Sequence, residues 1–291
     1  MLTFFTDESA ADRGGAENYK LSIYGGLVLT EPTFYELTDF VYKLKDRYVM
    51  PQHLEIKWRF ESFWENMRRV GHIDKAITRK THPEAYESFR DDHKKLKGEV
   101  LDRIAESDAE IIVALRPNKL LGASDEQIVQ YSIAAVARKF EKLLGNRDEF
   151  GIICADELPK RINPNAVTDY EYVTDLCCRG SGSLVFEHLI SIIPTMNSHV
   201  SGIHQINDVV LGAIQYYALE FIRSFADPSR NFDTAKAILI KIIRNFHKAG
   251  GKYVVNNGLL MYPPKVTRQN TAAGRFLDRL EQQLKSDFGI L

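Results

Sequence analysis

Two apolar, β-branched runs that each stop on a pair of acids constrain this chain more than any other feature. LTFFT runs into Asp7 and Glu8, and FGIICA, Phe150 to Ala155, runs into Asp156 and Glu157. Runs this short, rich in Phe, Thr and Ile, read as strands packed into a core rather than as helices. Leu2 to Thr6 and Leu21 to Leu29, separated by a polar loop with Gly14 and Gly15, predict a hairpin. Glu31 and Pro32 then open a helix carrying Leu37, Phe40, Val41, Leu44 and Tyr48 at spacings of three and four, ending before Pro51. Arg59 to Ala105 is polar, charged and helical, and Glu110 to Leu115 is strand-like up to Arg116 and Pro117.

Ser124 and Gln127 make a capping box for a helix with Ile128, Tyr131, Ala135, Val136, Phe140, Leu143 and Leu144 on one stripe, stopped by Gly145. Beyond the second acid-terminated strand, Leu189 to Pro194 reads as a strand and Gln205 to Arg223 as a long apolar helix. A helical extension follows from about Asp227, with one β-like piece at Lys252 to Val255. Strands that pair early and then alternate with helices predict an α/β fold with a mixed sheet flanked by helices.

Composition narrows the function classes only a little. A chain of 291 residues buries a sizeable core, and a formal net charge of -1 leaves any polyanion site to local patches. The 3 cysteines, with Cys177 and Cys178 adjacent, make neither an even disulfide framework nor a CxxC-type metal site, so a reducing cytoplasm is the expected home. No secretory leader and no run of about twenty apolar residues is present, which predicts no membrane association.

Ligand sites in α/β sheets gather at strand ends. Adjacent strand residues point to opposite faces, so only one of Asp7 and Glu8, and one of Asp156 and Glu157, can face a shared point. Two further acids stand out: Glu55 within LEIKW, and Asp208 within HQINDVV near the start of the long helix. A helical wheel places Asp208 nearly opposite the stripe Ile206, Val210, Ala213, Ile214, Tyr217 and Phe221, where a solvated acid needs no function. Pooled at one point, the four acids would repel, and a hard divalent cation would suit them.

In order, FFTDES, LEIKW, ICADE and HQINDVV resemble the motif series of a widespread, poorly characterised microbial family with an Asp-Glu-Ser-Gly strand end, assigned to the ribonuclease H-like superfamily. The resemblance spans roughly residues 1 to 225, with Ala10 where that family has glycine. It implies a ribonuclease H-like mixed sheet and a two-metal nuclease using Mg²⁺ or Mn²⁺, with Asp7 as bridging ligand and Glu55, Asp156 and Asp208 as the other catalytic, metal-binding acids. Glu8, Lys57, Glu157 and His204 are then candidates to support these ligands or contact phosphate. The expected layout is a domain over residues 1–225, with a helical insertion at about 59–107, and a helical extension over 226–291 packed on it.

The expected partner is RNA or DNA. No Asp or Glu occurs from Thr234 to Leu277, and on one continuous helix Lys241, Arg244 and Lys248 would share a basic face opposite Leu239, Ile242, Ile243 and Phe246. The basic region Arg68, Arg69, Arg79, Lys80, Lys94, Lys95 and Lys97 is interleaved with acids and reads as an ordinary solvated surface. Around Gly180 and Gly182, RGSGSLV lacks the Gly-Lys-Ser/Thr ending of a phosphate loop. The alternatives are a non-catalytic nucleic-acid-binding or assembly protein, and a nucleotide-processing phosphohydrolase.

Overall fold

The computed structural model describes residues 1–11, 21–117, 125–156, 185–194, 201–227, 229–248, 254–262 and 271–289. Six strands form one mixed sheet. In chain order they are β1 (Leu2–Ala11), β2 (Leu21–Thr30), β3 (Glu110–Pro117), β4 (Gly151–Ala155), β5 (Leu189–Pro194) and β6 (Leu259–Met261). Their order across the sheet is β5-β4-β1-β2-β3-β6. Strand β2 runs antiparallel to both of its neighbours, whereas β4, β5 and β6 pair parallel with theirs. The helices are α1 (Glu31–Arg47), α2 (Phe60–Arg69), α3 (Pro83–Glu106), α4 (Asp125–Arg147), α5 (Gly202–Ala226), α6 (Asp233–Ile242) and α7 (Ala272–Phe288).

Strand alternation splits the core into two layers. Phe4, Tyr24, Val28, Ile112 and Ile153 pack on one face against α4, where Phe4 meets Phe140 at a ring separation of 5.2 Å. Phe5, Ile23, Leu27, Val113 and Cys154 belong to the other layer, which includes α1, α2, α3, α5, α6 and α7. Side chains this deeply buried each contribute roughly 1.5–3 kcal/mol. Thr30 caps α1 by accepting from the Thr33 amide at 3.4 Å, and Pro32 in the first turn gives up no helical bond.

Helix α5 is the central element of the second layer. Its buried residues lie all round it, from Ile203, Ile206 and Val210 to Leu211 and Ala218. It crosses β1 and β2 where β2 carries Gly25 and Gly26, opposite Asp7 and Thr6. Asn207 of α5 fits into that gap and donates through Nδ2 to the carbonyls of Phe5 and Gly25, both at 3.3 Å. A Cβ on Gly26 would stand 2.2 Å from the Phe5 carbonyl oxygen and 2.3 Å from Asn207 Oδ1.

Several expectations need correction. Strand β1 continues past Thr6 to Ala11, so Asp7 and Glu8 lie within it, in register with Gly25 and Tyr24. Ala10 also pairs, with Ser22, so the strand continues through this position without a turn. Helix α4 runs past Gly145 to Arg147, and Tyr131 is exposed rather than part of the buried stripe. Ser124 of the proposed capping box, the Gly14–Gly15 loop and the RGSGS stretch lie outside the described residues.

The α2–α3 segment is part of the main core through Phe63, Met67, Leu96, Val100 and Ile104. The last part of the chain also contributes more than helices: β6 joins the sheet beside β3, a few residues later than the expected Lys252 to Val255. The helix expected across Lys241, Arg244 and Lys248 ends at Ile242 and gives way to a 3₁₀ turn at Ile243–Asn245. These cations therefore share no helical face, and Lys241 pairs with Asp102 of α3 at 2.7 Å. Buried Phe246 and Asn245 break the helix, the latter donating to the carbonyls of Ile104, Ser107 and Ala109. Among the described residues no helix is long and apolar enough to cross a membrane.

The Gly26 contact sets a stability test. Gly26→Ala should cost about 2–4 kcal/mol, read as a lower urea midpoint, because both atoms it strikes are fixed. Gly71→Ala is the comparison: its φ of +73° is strained for alanine but no atom lies within 4 Å, so roughly 1–2 kcal/mol is expected. Equal losses at the two positions would show that α5 does not depend on this gap.

Candidate functional site

Asp7 stands where β1 loses a neighbour. The pairing of β1 with β4 ends at Thr6 and Ala155, and the Asp156 amide makes the next link, donating to the Thr6 carbonyl at 2.9 Å. From Asp7 onward β1 is paired on the β2 side, and Asp7 and Asp156 each directly follow the last residue of their strands in the β1–β4 pairing. Alternation puts Asp7 on the face of Phe5, toward α5, and Glu8 on the opposite face. The Glu8 amide donates to Asp7 Oδ1 at 2.6 Å. Glu157 lies outside the described residues.

Helix α5 brings Asp208 to the same face and also positions Glu55 and Lys57. The LEIKW segment belongs to no helix or sheet, so its backbone groups need other partners. Side chains supply them. Gln205 Oε1 accepts from the Ile56 amide at 3.2 Å, and Asp208 Oδ2 accepts from the Trp58 amide at 2.7 Å. From α3, His93 donates through Nε2 to the Lys57 carbonyl at 2.7 Å, and Lys97 donates to the Trp58 carbonyl at 3.1 Å. Gly212 makes room for the Trp58 side chain, since a Cβ there would lie 2.1 Å from it. One turn on, Gln215 donates to the carbonyls of Ser9 and Leu21 and accepts from the Ser9 hydroxyl.

The electrostatics are those of crowded acids around one ammonium. Burial, then Asp156 and Asp208, push the Asp7 pKa up to about 8 against the opposing pull of the Glu8 amide and Lys57. Burial also raises the pKa of Asp208, with Glu55 and Asp156 acting in the same direction and Lys57 and the Trp58 amide opposing. Burial disfavours the Lys57 ammonium, yet Asp208, Glu55 and Asp7 together hold its pKa above the usual lysine value. Lys57 forms an ion pair with buried Glu55. The four acids singled out in the sequence thus belong to one interacting cluster.

Their chemistry suits a hard cation: oxygen donors that repel one another and lack a full complement of positive charge. Their arrangement is open. Among the described residues no group of three or more His, Cys, Asp or Glu side chains is placed to hold a metal ion. Glu55 is engaged by Lys57, which leaves Asp7, Asp156 and Asp208 as the acids whose mutual repulsion is least offset.

His204 lies close enough to Asp156 to interact with it electrostatically. It is fully buried, so it does not reach a phosphate from this position. It bonds the Ser201 hydroxyl at 2.8 Å and the Cys154 backbone, with its ring edge-on to Phe5. Burial lowers its pKa, while Asp156 acts in the opposite direction. It therefore anchors α5 beside the end of β4.

Sequence reasoning missed Gln205, Asn207, Gln215 and His93. The readable signal was a stripe: Gln205, Asp208, Gly212 and Gln215 fall on one face of an otherwise apolar helix. That face, read as solvated, is where LEIKW and the end of β1 pack.

Two measurements test this construction. Gly212→Ala gains roughly 1 kcal/mol of helix propensity yet should be net destabilising by about 1–3 kcal/mol, because Trp58 must move. A rise in the urea midpoint would refute the packing. For Asp7, the folded-state pKa lies above the unfolded one, so its contribution is fully present near pH 4 and lost as pH rises through about 8. In chelator, Asp7→Asn should gain stability over the native protein as pH rises from 6 to 9, by about 1–3 kcal/mol after allowing for screening by solvent. A difference independent of pH would contradict the electrostatic account. Beyond these internal relations the site has no counterpart to lean on: no protein-family model, curated protein or solved structure matches the chain.

Proposed function

We propose that the chain is a divalent-metal-dependent nuclease of ribonuclease H-like architecture, hydrolysing phosphodiester bonds in RNA or DNA. The carrying observation is that Asp7, Asp156 and Asp208, from three separate elements, meet closely enough for the latter two to raise the pKa of the first. The sheet order supports the fold: the first strand is central, its antiparallel partner lies on one side, and the parallel strand bearing the second aspartate lies on the other. Asp208, on the late helix and within the same cluster, supports this reading.

In this reading Asp7 is the central ligand, with Asp156 and Asp208 on either side. An open set is compatible with Mg²⁺ or Mn²⁺, because such ions are commonly held by one or two carboxylates, water and substrate phosphate rather than by a closed protein cage. A bound pair of such ions supplies a water of lowered pKa and stabilises the leaving oxygen. Asp7 must give up its proton to serve as a ligand, and Asp208 is held in place by the Trp58 amide. Glu55 and Lys57 form the adjoining wall, where Lys57 balances part of the negative charge.

One observation favours a second reading. Lys57 already sits among the acids and no closed chelating group is formed among the described residues, as in a metal-free binding protein. The two readings separate in one experiment. Labelled single- and double-stranded RNA and DNA are incubated with Mg²⁺, Mn²⁺ or chelator, with Asp7→Asn in parallel, and melting is recorded under each condition. The nuclease reading expects metal-dependent cleavage lost by at least about a hundredfold in Asp7→Asn, and a metal-induced rise in Tm. Cleavage that survives both chelator and the substitution would overturn it, as would a native protein with neither cleavage nor a Tm response.

A further inference from the structure

We propose that the pocket beside Asp208 is a phosphate-binding subsite in which Arg59 and Ser62 grip a backbone phosphate of the substrate. The identity of that substrate rests on the nuclease reading; the anion chemistry of the pocket does not. The pocket lies between Ser9 and Gln215 on one side and Lys57, Trp58, Arg59 and Ser62 on the other, with Asp208 also in its lining.

The polar groups around it divide into those already committed and those still available. The Ser9 hydroxyl donates to Gln215, and the Gln215 amide group is occupied by two carbonyls. Lys57 is paired with Glu55, and Asp208 receives the Trp58 amide. Arg59 and Ser62 are exposed, and among the described residues neither side chain forms a hydrogen bond or ion pair. A guanidinium and a hydroxyl remain, both donors, on the wall of a cleft that Asp208 also lines.

Their position is fixed by the segment that carries them. The backbone just before Arg59 is held by Asp208, His93 and Lys97, and Phe60 and Phe63 of α2 are buried immediately after it. Lys97 also lies 4.1 Å from the centre of the Trp58 ring, adding positive charge behind the same wall. A planar guanidinium fork matches two phosphate oxygens, and a fixed backbone at its base keeps it within reach of the cleft. Donors next to ligand-type carboxylates fit a phosphodiester better than a simple carboxylate, because a phosphate can meet the donors on one side and share a cation with Asp208 on the other. This places substrate contact on the start of α2 and not on α6, where Lys241 is paired with Asp102.

The test compares the native protein with Arg59→Ala, Ser62→Ala and Arg79→Ala, the last an exposed arginine elsewhere on the α2–α3 segment. Inorganic phosphate is the first probe, read as a rise in Tm, and fluorescent single-stranded RNA and DNA in Ca²⁺ are the second, read by anisotropy. Arg59→Ala should leave the ligand-free Tm unchanged, abolish the phosphate-induced rise, weaken oligonucleotide binding about tenfold and reduce the salt slope by about one. Ser62→Ala should weaken binding by a smaller factor in the same direction. Phosphate and oligonucleotide responses equal to those of the native protein in Arg59→Ala, or equal losses in Arg79→Ala, would overturn the subsite. An Arg59-dependent phosphate response without any cleavage supports the subsite and counts against the nuclease. Cleavage and binding indifferent to Arg59 would do the reverse.

Discussion

The structure depends on a gap in its sheet. Gly25 and Gly26 leave β2 without side chains opposite Asp7 and Thr6, and α5 settles into the space. Asn207 replaces the missing side chains with bonds to the Phe5 and Gly25 carbonyls. With the helix seated there, Asp208, the next residue along, is brought to the face of β1 that bears Asp7. The stripe from Gln205 to Gln215 then receives LEIKW and the end of β1. A helix held away by even one methyl group at Gly26 would separate the acids and leave the Ile56 and Trp58 amides without partners.

That seating brings like charges together, and the local chemistry only partly compensates. Asp7 lies among two other aspartates in a setting that favours its neutral form. Lys57 offsets Asp208 and Glu55 most directly, while backbone amides from Glu8 and Trp58 each stabilise one carboxylate. Two further ammoniums, Lys45 near Glu55 and Lys97 near Asp208, are each lowered by burial to a pKa of about 8. The cluster therefore favours whatever adds positive charge, whether a proton on Asp7 or a cation among the acids.

Much of this was legible in the sequence, and the failures have physical causes. The mixed sheet, the hairpin pairing of its first strands, β5 and the long helix follow from short apolar runs and helical spacing. The opposed directions of Asp7 and Glu8 follow from strand alternation alone. The extent of β1 did not, because acids within a strand look like its end when the register with β2 is unknown. The basic helix failed because its apolar residues continue beyond Ile242 and give no local stop signal. The break comes from Asn245 docking onto carbonyls more than a hundred residues earlier in the chain. Asp208 looked solvated on a helical wheel because a wheel cannot show that a strandless segment covers that side. The polar stripe with Gly212 at its centre was the available clue.

The stability consequence bears on what the acids are for. A carboxylate needed only to cap a strand or accept one amide could be replaced by a neutral acceptor without repulsion, and a buried charge is tolerable chiefly when it is well paired. Asp208 has such a structural duty, in accepting the Trp58 amide. Among the described residues Asp7 accepts only the adjacent Glu8 amide, a local contact that positions no distant element. Its main interaction with Asp156 and Asp208 is repulsive. Of the cluster, Asp7 is thus the residue whose structural benefit is smallest relative to its electrostatic cost, and a ligand that binds negative oxygen is the simplest way to reverse that balance.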